Sequence, residues 1–325
     1  MKFRVTTNDS AYIEYFTNLL TTISSLSNLA IFKLSKETMV IIVKDSSVAG
    51  GTYVQMDIEL SSLFHECVCD GIDPPDNDFI ILEVTTQQLL SGLRVGSSHS
   101  SINSNSSTTS GNDSRMTNNN FNSSSTSVAS LKYAKVKLVK KGIPALLFEL
   151  EQTSFNGKCR FITHHVPVLI VPPRLWSDVN IPQDPDFDLS IFLPSIKVLK
   201  QIIDRIKNLS PYVTLIANSN GLLIMKLIKN AEVTVELKFN NLKTKVWTQG
   251  HEKSMEFDNF REDTDAAAVE VQATVLLKRF SQFINSIKIP PNWIVANFLN
   301  EKIVQFAVEF DYAKYRYNMP SKYED

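Results

Sequence analysis

Alternating apolar and polar residues predict short β-strands along most of this chain, and four stretches with helical spacing interrupt them. The first helical stretch starts where Asp9 or Ser10 can supply a cap, and its apolar residues fall on one face. The other three stretches are residues 86–95, 194–208 and 273–287. The pattern therefore predicts an α+β protein in which strands outnumber helices.

The order of the predicted elements repeats. Strand, helix, five strands, helix and three strands occur in residues 1–166 and again in 187–325, with little sequence identity between the copies. We therefore predict two domains with these limits, each a β-α-β5-α-β3 unit, joined by a connector at 167–186.

Prolines mark the connector. Pro172, Pro173, Pro182 and Pro185 follow an apolar strand and precede the helix at 194–208. Because proline fixes φ and lacks an N–H, we expect none of the four inside a regular element. The connector should therefore cross from one domain to the other as irregular backbone.

Residues 97–130 differ from the rest of the chain in composition. They are almost wholly Ser, Asn, Thr and Gly. Such a segment cannot bury enough apolar surface to offset the entropy lost on ordering. Strand patterning resumes after it, so we predict a disordered surface loop that interrupts the first domain without ending it.

Composition and charge narrow the classes of protein. Of 325 residues, 43% are hydrophobic and 21% charged, as in ordinary soluble globular proteins. The formal net charge of -1 means that any surface for nucleic acid must be local. Three cysteines are too few for a disulfide framework and suit a reducing compartment. No apolar run approaches the roughly 18 residues of a membrane span.

Candidate catalytic groups are sparse. His164 and His165 are adjacent in a predicted strand and should point to opposite faces, so they cannot chelate one metal. Cys67 and Cys69 lack the further ligands of a zinc site. The acidic run at 184–188 lacks the glycine and closing glutamate of a calcium loop, so we expect its carboxylates in a solvated turn. A metal-dependent hydrolase or nuclease using these carboxylates and His164 is the alternative from another class.

Several motifs resemble one family of proteins. They are MKFR at the start, Gly50-Gly51, RFITHHVPV, VPPRLWSD, DPDFDLSIFLP and a helix ending in KNLS. With the repeat and the proline-rich connector they resemble a DNA sliding clamp, and in particular the Hus-type subunit of the heterotrimeric checkpoint clamp, the nine-one-one complex. The resemblance covers the whole chain apart from 97–130, and VPPRLWSD with the following DPD…LP is its most specific part.

The resemblance implies a two-domain sliding-clamp fold and a non-catalytic role. In this family three different subunits form a ring around double-stranded DNA, with helices lining the inner face and sheets outside. The implied partners are a Rad-nine-like and a Rad-one-like subunit, a clamp loader related to replication factor C, and the checkpoint and repair proteins that dock at the connector. A nuclear location is implied, with no membrane, metal or cofactor. A homotrimeric replication clamp is the nearest alternative.

The resemblance also implies DNA-facing residues on the polar faces of the helices. Basic side chains there would contact phosphates of the DNA without reading its sequence. These residues are Lys197, Lys200, Gln201, Arg205, Lys278, Arg279 and Arg94. The first helix has no basic residue on its polar face, so the ring partners should supply more of the positive charge. Solvated helix faces that bind nothing would have the same composition.

Two further surfaces are predicted for proteins. The docking connector and groove consist of Val166, Leu169, Val171, Pro172, Pro173, Arg174, Leu175 and Trp176. Leu175 and Trp176 can equally serve to pin the connector to the sheet beneath. The strands at 158–168 and 233–239 should be open edges that pair with neighbouring subunits, although a strand inside its own sheet would look the same. The edge residues are Arg160, Phe161, Ile162, Val233, Val235 and Leu237.

Overall fold

The structure is a computed structural model that describes residues 1–44, 52–71, 78–94, 131–140, 142–153, 158–179, 184–229, 233–246 and 269–322. The predicted loop at 97–130 lies outside these ranges. The first half consists of β1 (Lys2–Thr7), α1 (Ser10–Ser24), β2 (Leu29–Leu34), β3 (Thr38–Lys44), β4 (Tyr53–Glu59), α2 (Leu60–Leu63), β5 (Glu66–Asp70), β6 (Ile80–Thr85), α3 (Thr86–Arg94), β7 (Leu131–Val139), β8 (Ala145–Thr153) and β9 (Cys159–Ile170).

A 3₁₀ helix at Pro173–Val179 follows in the connector. The second half consists of β10 (Leu189–Phe192), α4 (Ile196–Ile206), β11 (Tyr212–Asn218), β12 (Leu223–Lys229), β13 (Val233–Phe239), β14 (Thr244–Val246), β15 (Glu270–Leu276), α5 (Leu277–Ser286), β16 (Trp293–Leu299), β17 (Ile303–Phe310) and β18 (Ala313–Pro320).

The repeat predicted from the sequence is confirmed. In the residues that the structure describes, and apart from the four-residue helix α2, each half has the order β-α-β5-α-β3. The strand registers correspond as well: Ile31 faces Ile42 in the first half, and Thr214 faces Lys226 at the matching position in the second. The halves therefore share one topology although their residues differ. The domain limits at 166 and 187 stay predictions.

One predicted helix begins later than expected. The prediction of a helix from Ala273 is wrong, because β15 extends to Leu276 and pairs with β11 along its length. Buried and exposed residues alternate from Glu270 to Leu276, which is a strand pattern. Helical spacing starts at Leu277, whose side chain is buried with Phe280 and Phe283.

The expectation that no proline of the connector enters a regular element is also wrong, for Pro173. It begins the 3₁₀ helix that extends to Val179. A proline at the first helical position loses no hydrogen bond, since the N–H there has no intrahelical partner, and its fixed φ suits a helical turn. The N–H of Leu175 donates to the carbonyl of Pro172 at 2.9 Å.

The two halves share one sheet. Within the described part of the chain, fourteen strands run in the order β14-β10-β16-β17-β18-β4-β3-β2-β6-β9-β8-β7-β1-β5, and β13-β12-β11-β15 form a second sheet. The halves meet where β18 pairs with β4, from Ala313 opposite Ile58 to Asn318 opposite Tyr53. We call this antiparallel pair the joint. Main-chain hydrogen bonds therefore continue from one half into the other.

Helices cover one face of the sheets and the connector lies on the other. On the helical face α1 packs beside α3 and α4 beside α5. Ile41 and Met56 belong to the main core on that face, whereas their neighbours Ile42 and Tyr53 form a separate cluster with Val179 of the connector. Successive strand residues point to opposite faces, so these two clusters lie on opposite sides of the sheet.

Tyrosines close the joint on the helical face. Tyr312, in the turn between β17 and β18, lies edge-on to Tyr12 and Tyr15 with ring centroids 5.7 and 5.4 Å apart. Its N–H donates to the Tyr15 hydroxyl at 3.4 Å, and its carbonyl accepts from the N–H of Glu59 at 3.0 Å. Helix α1 of the first half is thereby fastened to the second half at the point where the sheet crosses.

The Gly221→Ala substitution should destabilise the protein more than Gly142→Ala. Both glycines have φ of +79°, where a Cβ costs about 1 kcal/mol. At Gly142 a Cβ meets nothing within 4 Å, but at Gly221 it would collide with the carbonyl oxygen of Leu242. We expect a loss of about 1 kcal/mol for Gly142→Ala and above about 2 kcal/mol for Gly221→Ala in denaturant unfolding. Equal losses would show that the turn at 219–222 moves to admit the methyl group.

Candidate functional surfaces: helical face, connector and strand edges

The helices of the second half place most of their predicted DNA-facing residues in solvent. Lys197, Gln201 and Arg205 are exposed on α4, and Lys278 is exposed on α5, while Arg279 is half-buried. They share one side because the buried leucine and isoleucines of α4, and the phenylalanines of α5, occupy the other. The arrangement gives this part of the helical face exposed cations with helical spacing.

Lys200 has a structural contact in addition. Its Nζ donates to the carbonyl of Ile287 at 2.6 Å, at the end of α5, where the carbonyls have no intrahelical donor. Burial, and after it the charge of Lys288, lower the pKa of Lys200. Lys200 therefore fastens α4 to α5 and is less available to a phosphate than Lys197 or Arg205.

The helices of the first half present a largely neutral polar face. The hydroxyl groups of Thr17, Thr21 and Thr22 on α1 donate to carbonyls four residues earlier at 2.7–3.1 Å. Arg94, at the end of α3, donates from Nη2 to Thr21 Oγ1 at 3.1 Å. Helix α1 contains no basic residue. The helical face is thus polar without net positive charge along α1.

Trp176 fixes the connector to the outer face of the sheet. Its ring centroid lies 4.6 Å from that of Phe79, and its Nε1 donates to the carbonyl of Val171 at 3.1 Å. Val179, one turn of chain further on, is buried in the same cluster. The ammonium of Lys33 lies 4.3 Å from the centroid of the Phe79 ring on this surface. The pinning interpretation of Trp176 agrees with these contacts.

Two of the residues predicted for the groove beside the connector are exposed apolar side chains. Leu169 on β9 is 65% exposed and Leu175 on the 3₁₀ helix is 44% exposed, which leaves two large apolar side chains open to a partner. Val166 does not line this surface, because it is fully buried in the main core, three residues from Leu169 and hence on the opposite face of β9. The remaining predicted residues are half-buried or exposed: Val171, Pro172, Pro173 and Arg174.

Asp184 and Asp188 do not lie in the solvated turn that we expected, whereas Asp186 is exposed. Asp184 bonds to Arg316 Nη1 at 3.0 Å and accepts from Gln305 Nε2 at 2.8 Å. Asp188 accepts a backbone N–H at 2.8 Å. Arg316 also bonds to Asp57 at 2.9 Å. These carboxylates tie the end of the connector to β17 and β18, and through Arg316 to β4.

Both strands predicted as subunit edges have an open side among the described residues. Residues 159–167 of β9 pair with β8 on one side, and on the other side β9 meets β6 only from Val168 onward. Strand β13 pairs with β12 and ends its sheet. Phe161 is 75% exposed and Val233 is 51% exposed. Ile162, Val235 and Leu237 are half-buried against the core, and Arg160 is exposed.

The groups considered for catalysis are not brought together. His164 packs against Gly92 of α3, and the thiols of Cys67 and Cys69 donate to backbone carbonyls. Burial, followed by the charges of Asp78 and Asp70, raises the pKa of Cys69 to about 11. Within the described ranges, no three His, Cys, Asp or Glu side chains converge as metal ligands, and no helix is long and apolar enough to span a membrane.

Solved structures with this architecture are sliding clamps. PCNA from Thermococcus kodakaraensis matches with a TM-score of 0.62 over 98% of this chain and 100% of its own, at 12% sequence identity. Proliferating Cellular Nuclear Antigen from Entamoeba histolytica matches with a TM-score of 0.62 over 99% of both chains, at 15% identity. The two-domain sliding-clamp fold predicted from the sequence is therefore confirmed.

Sequence comparison gives the family. The family model described as Hus1-like protein matches residues 1–321, and the chain belongs to this family. Checkpoint protein HUS1 of Homo sapiens is 24% identical over 321 residues, which are 99% of each chain. Checkpoint protein Hus1-like of Drosophila melanogaster is 28% identical over 248 residues, 74% of this chain and 76% of the relative. The resemblance to the Hus-type checkpoint clamp subunit is thereby confirmed.

Sequence reasoning missed the residues that seat the connector. Phe79, Tyr53, Asp57 and Arg316 were not singled out, although they contact the connector or join its contacts to the sheet. The available signal was weak: Asp57 and Arg316 are charged residues in strands whose neighbours are largely apolar. Nothing in the sequence pairs them, because they are 259 positions apart.

Trp176→Ala should loosen the connector, whereas Leu175→Ala should not. The first change removes the ring beside Phe79 and the bond to Val171, and we expect it to lower local stability by about 2 kcal/mol. The second removes a side chain that is 44% exposed. Cleavage by trypsin after Arg174, followed by mass spectrometry, measures local opening of the 3₁₀ helix. Equal cleavage of both variants would contradict an anchoring role for Trp176.

Proposed function

We propose that this protein is the Hus-type subunit of a heterotrimeric ring that encircles double-stranded DNA at damaged or stalled sites and recruits checkpoint and repair proteins. The subunit performs no bond chemistry: the ring holds DNA by enclosure, and the connector displays a docking surface. Family membership and the clamp fold support this function. The structural observation that carries it is the pair of open strand edges.

The joint within the chain is a template for joints between subunits. Strand β18 ends the second half and pairs with β4 of the first. In the repeat, β9 corresponds to β18 and β13 corresponds to β4. Among the described residues, β13 is unpaired on the side that the joint uses, and β9 is unpaired on that side over residues 159–167. In a ring, β9 of one subunit would pair with the strand of the next subunit that corresponds to β13. This pairing would have the same form as the joint, and head-to-tail contacts of this kind can close into a ring.

The register of the joint specifies which residues would meet. Matching β8–β9 to β17–β18, and β3–β4 to β12–β13, places residues 160–165 at the positions of 313–318 and residues 234–239 at the positions of 53–58. The predicted edge residues Arg160, Phe161 and Ile162 fall inside the first range, and Val235 and Leu237 inside the second. Val233 falls just outside it.

The open edge of β9 presents N–H groups at every second residue. Val168 donates to the carbonyl of Pro144 on the β8 side, and Val171 donates to Ile81 on the opposite side. Directions alternate along a strand, so the N–H groups of Phe161 and Thr163 point to the open edge. The backbone nitrogen of Pro167 points to the same open edge as those of Phe161 and Thr163. Its missing N–H therefore costs no hydrogen bond to β8.

Two different partners would complete the ring. We assign these places to a Rad-nine-like and a Rad-one-like subunit, and loading to a machine related to replication factor C, with action in the nucleus. The absence of basic residues from α1 supports a mixed ring, because the phosphates that pass it would need cations from other subunits. Lys197, Arg205 and Lys278, with Gln201 and the half-buried Arg279, would supply this chain's share.

The Thr163→Pro variant should fold but fail to join its neighbour. It removes one edge N–H that makes no bond to β8, and Pro167 shows that the strand accommodates proline at this parity. Thr163→Val, which keeps the N–H, is the matched control. Native mass spectrometry after co-expression with the two candidate partners should show a one-to-one-to-one complex for wild type and Thr163→Val, and loss of the joint made by β9 for Thr163→Pro.

Other results would change the assignment. A full complex with Thr163→Pro would show that β9 does not form the joint. A stable homotrimer of this chain alone would move the protein to the class of replication clamps. Nuclease activity that copurifies with the chain and disappears with EDTA would favour the hydrolase alternative.

The double variant Lys197→Glu/Lys278→Glu should weaken retention of DNA without changing ring assembly. Each reversal replaces a phosphate-attracting charge with a repelling one, and such contacts depend on salt. We expect the assembled ring to leave linear duplex DNA about tenfold faster at low salt, with the difference shrinking as salt rises. Lys132→Glu, on an exposed site of β7, is the control. If the double variant retained DNA as long as the wild-type ring does, these lysines would not be part of the DNA-binding surface.

A further inference from the structure

A series of hydrogen bonds crosses the outer face of the sheet under the end of the connector. Ser190 Oγ donates to Asn297 Oδ1 at 2.6 Å, and Asn297 Nδ2 donates to Gln305 Oε1 at 3.0 Å. Gln305 Nε2 then donates to Asp184 Oδ1 at 2.8 Å. Ser190, Asn297 and Gln305 are at most 1% exposed, so these groups depend on one another rather than on water.

Arg316 continues the series into the joint. Its Nη1 bonds to Asp184 Oδ2 at 3.0 Å and its Nη2 bonds to Asp57 Oδ2 at 2.9 Å. Burial lowers the pKa of Arg316, but the bonds and charges of Asp57 and Asp184 outweigh burial, and the pKa lies above its usual value. One planar guanidinium on β18 thus holds a carboxylate of β4 and a carboxylate of the connector.

The series ends at the apolar contacts that hold the start of the connector. Gln55 Nε2 donates to Asp57 Oδ1 at 2.7 Å, and the Tyr53 hydroxyl donates to Gln55 Oε1 at 3.4 Å. Tyr53 is 9% exposed and belongs to the cluster of Val179, against which Trp176 packs. The two ends of the connector are therefore linked through side chains of β4 and β18.

This arrangement is not a general requirement of the repeated unit. Thr163 on β9 occupies the position that Arg316 has on β18, and Leu147 on β8 occupies that of Gln305. Neither can form a charged bond of this kind. The charged bonds therefore occur at the joint, under the end of the connector, and not at the matching positions Thr163 and Leu147, which associates them with the connector rather than with strand pairing as such.

We propose that Arg316 is a positioning residue that clasps the end of the connector to the joint, and so keeps the connector seated with Leu175 presented to a partner. When the bond between Asp184 and Arg316 opens, the end of the connector loses its charged contact with β18, which leaves more of the seating to Trp176 and Val179 near its start. That a partner uses this surface rests on the proposed function. The contacts of Arg316 with Asp184 and Asp57 lie within this chain and need no partner.

Asp184→Asn and Asp57→Asn form a matched pair of tests. Each asparagine keeps an acceptor oxygen for its glutamine donor, Gln305 or Gln55, and each removes one carboxylate from Arg316. Asp184 belongs to the connector, whereas Asp57 belongs to β4. Hydrogen exchange of the full chain, read by mass spectrometry on a peptide covering 171–179, measures seating of the connector at its start.

We expect exchange in 171–179 to be about tenfold faster in Asp184→Asn and within about twofold of wild type in Asp57→Asn, because only the first removes a charge-assisted bond from the connector. Strands β7 and β8 lie away from the clasp and should exchange at the wild-type rate in both variants. An unchanged rate in Asp184→Asn, or equal acceleration in both variants, would overturn the proposal.

Arg316→Lys provides a second variant that keeps the charge. An ammonium presents its donors from one atom and lacks the planar fork of the guanidinium, so we expect weaker bonding to the two carboxylates and exchange in 171–179 between the wild-type rate and that of Asp184→Asn. A wild-type rate would again overturn the clasp. These results are independent of partner chains, whereas failure of ring assembly in native mass spectrometry would overturn the proposed function and leave the exchange result standing.

Discussion

The antiparallel pairing of β18 with β4 fixes how the two halves of this chain meet. Its register places Arg316 opposite Gln55 on the connector side, and it leaves Tyr315, which is fully buried, on the helical side. A slip of one residue would exchange these faces, burying a guanidinium and exposing a tyrosine, so the register is strongly specified. Through Tyr312 the joint also fixes α1. The helical face, the connector and the open edges take their relative positions from this one ladder.

The order of elements could be predicted because it depends on local patterns, and the repeat followed from that order. Contacts between distant residues could not. Asp184 was assigned to a solvated turn because its neighbours are acidic and proline-rich, yet its partners Gln305 and Arg316 are 121 and 132 positions away. Val166 is an apolar residue next to the connector, as a groove residue would be, but its position in β9 directs its side chain to the face that packs against the core. Trp176 left two interpretations open, and only the positions of Phe79 and Val171 distinguish between them.

The two halves use the same sheet in different ways. The outward positions of β2 and β3 hold Ile31 and Ile42, which lie in the cluster under the connector. The corresponding positions of β11 and β12 hold Thr214 and Lys226. Polar side chains can remain in contact with water, so the second sheet needs no covering segment. Of the two halves, only the first therefore presents an apolar surface for the connector among the described residues. In a mixed ring, the residues of this surface could differ from one subunit to another.

The distribution of charge agrees with a ring that keeps DNA by closure. Threonine hydroxyl groups on α1 donate to carbonyls of the same helix, and Lys200 donates to the carbonyl of Ile287 at the end of α5. Fewer polar groups are therefore available to phosphates than the number of polar residues on the helical face. In the proposed ring, weak contact with DNA would allow movement along it and would leave retention to the protein–protein joints. Those joints would reuse the strand pairing that already holds the two halves together. The strength of the assembly then lies in main-chain ladders, which depend little on which side chains each subunit carries, and this is a physical reason why subunits of different sequence can share one ring.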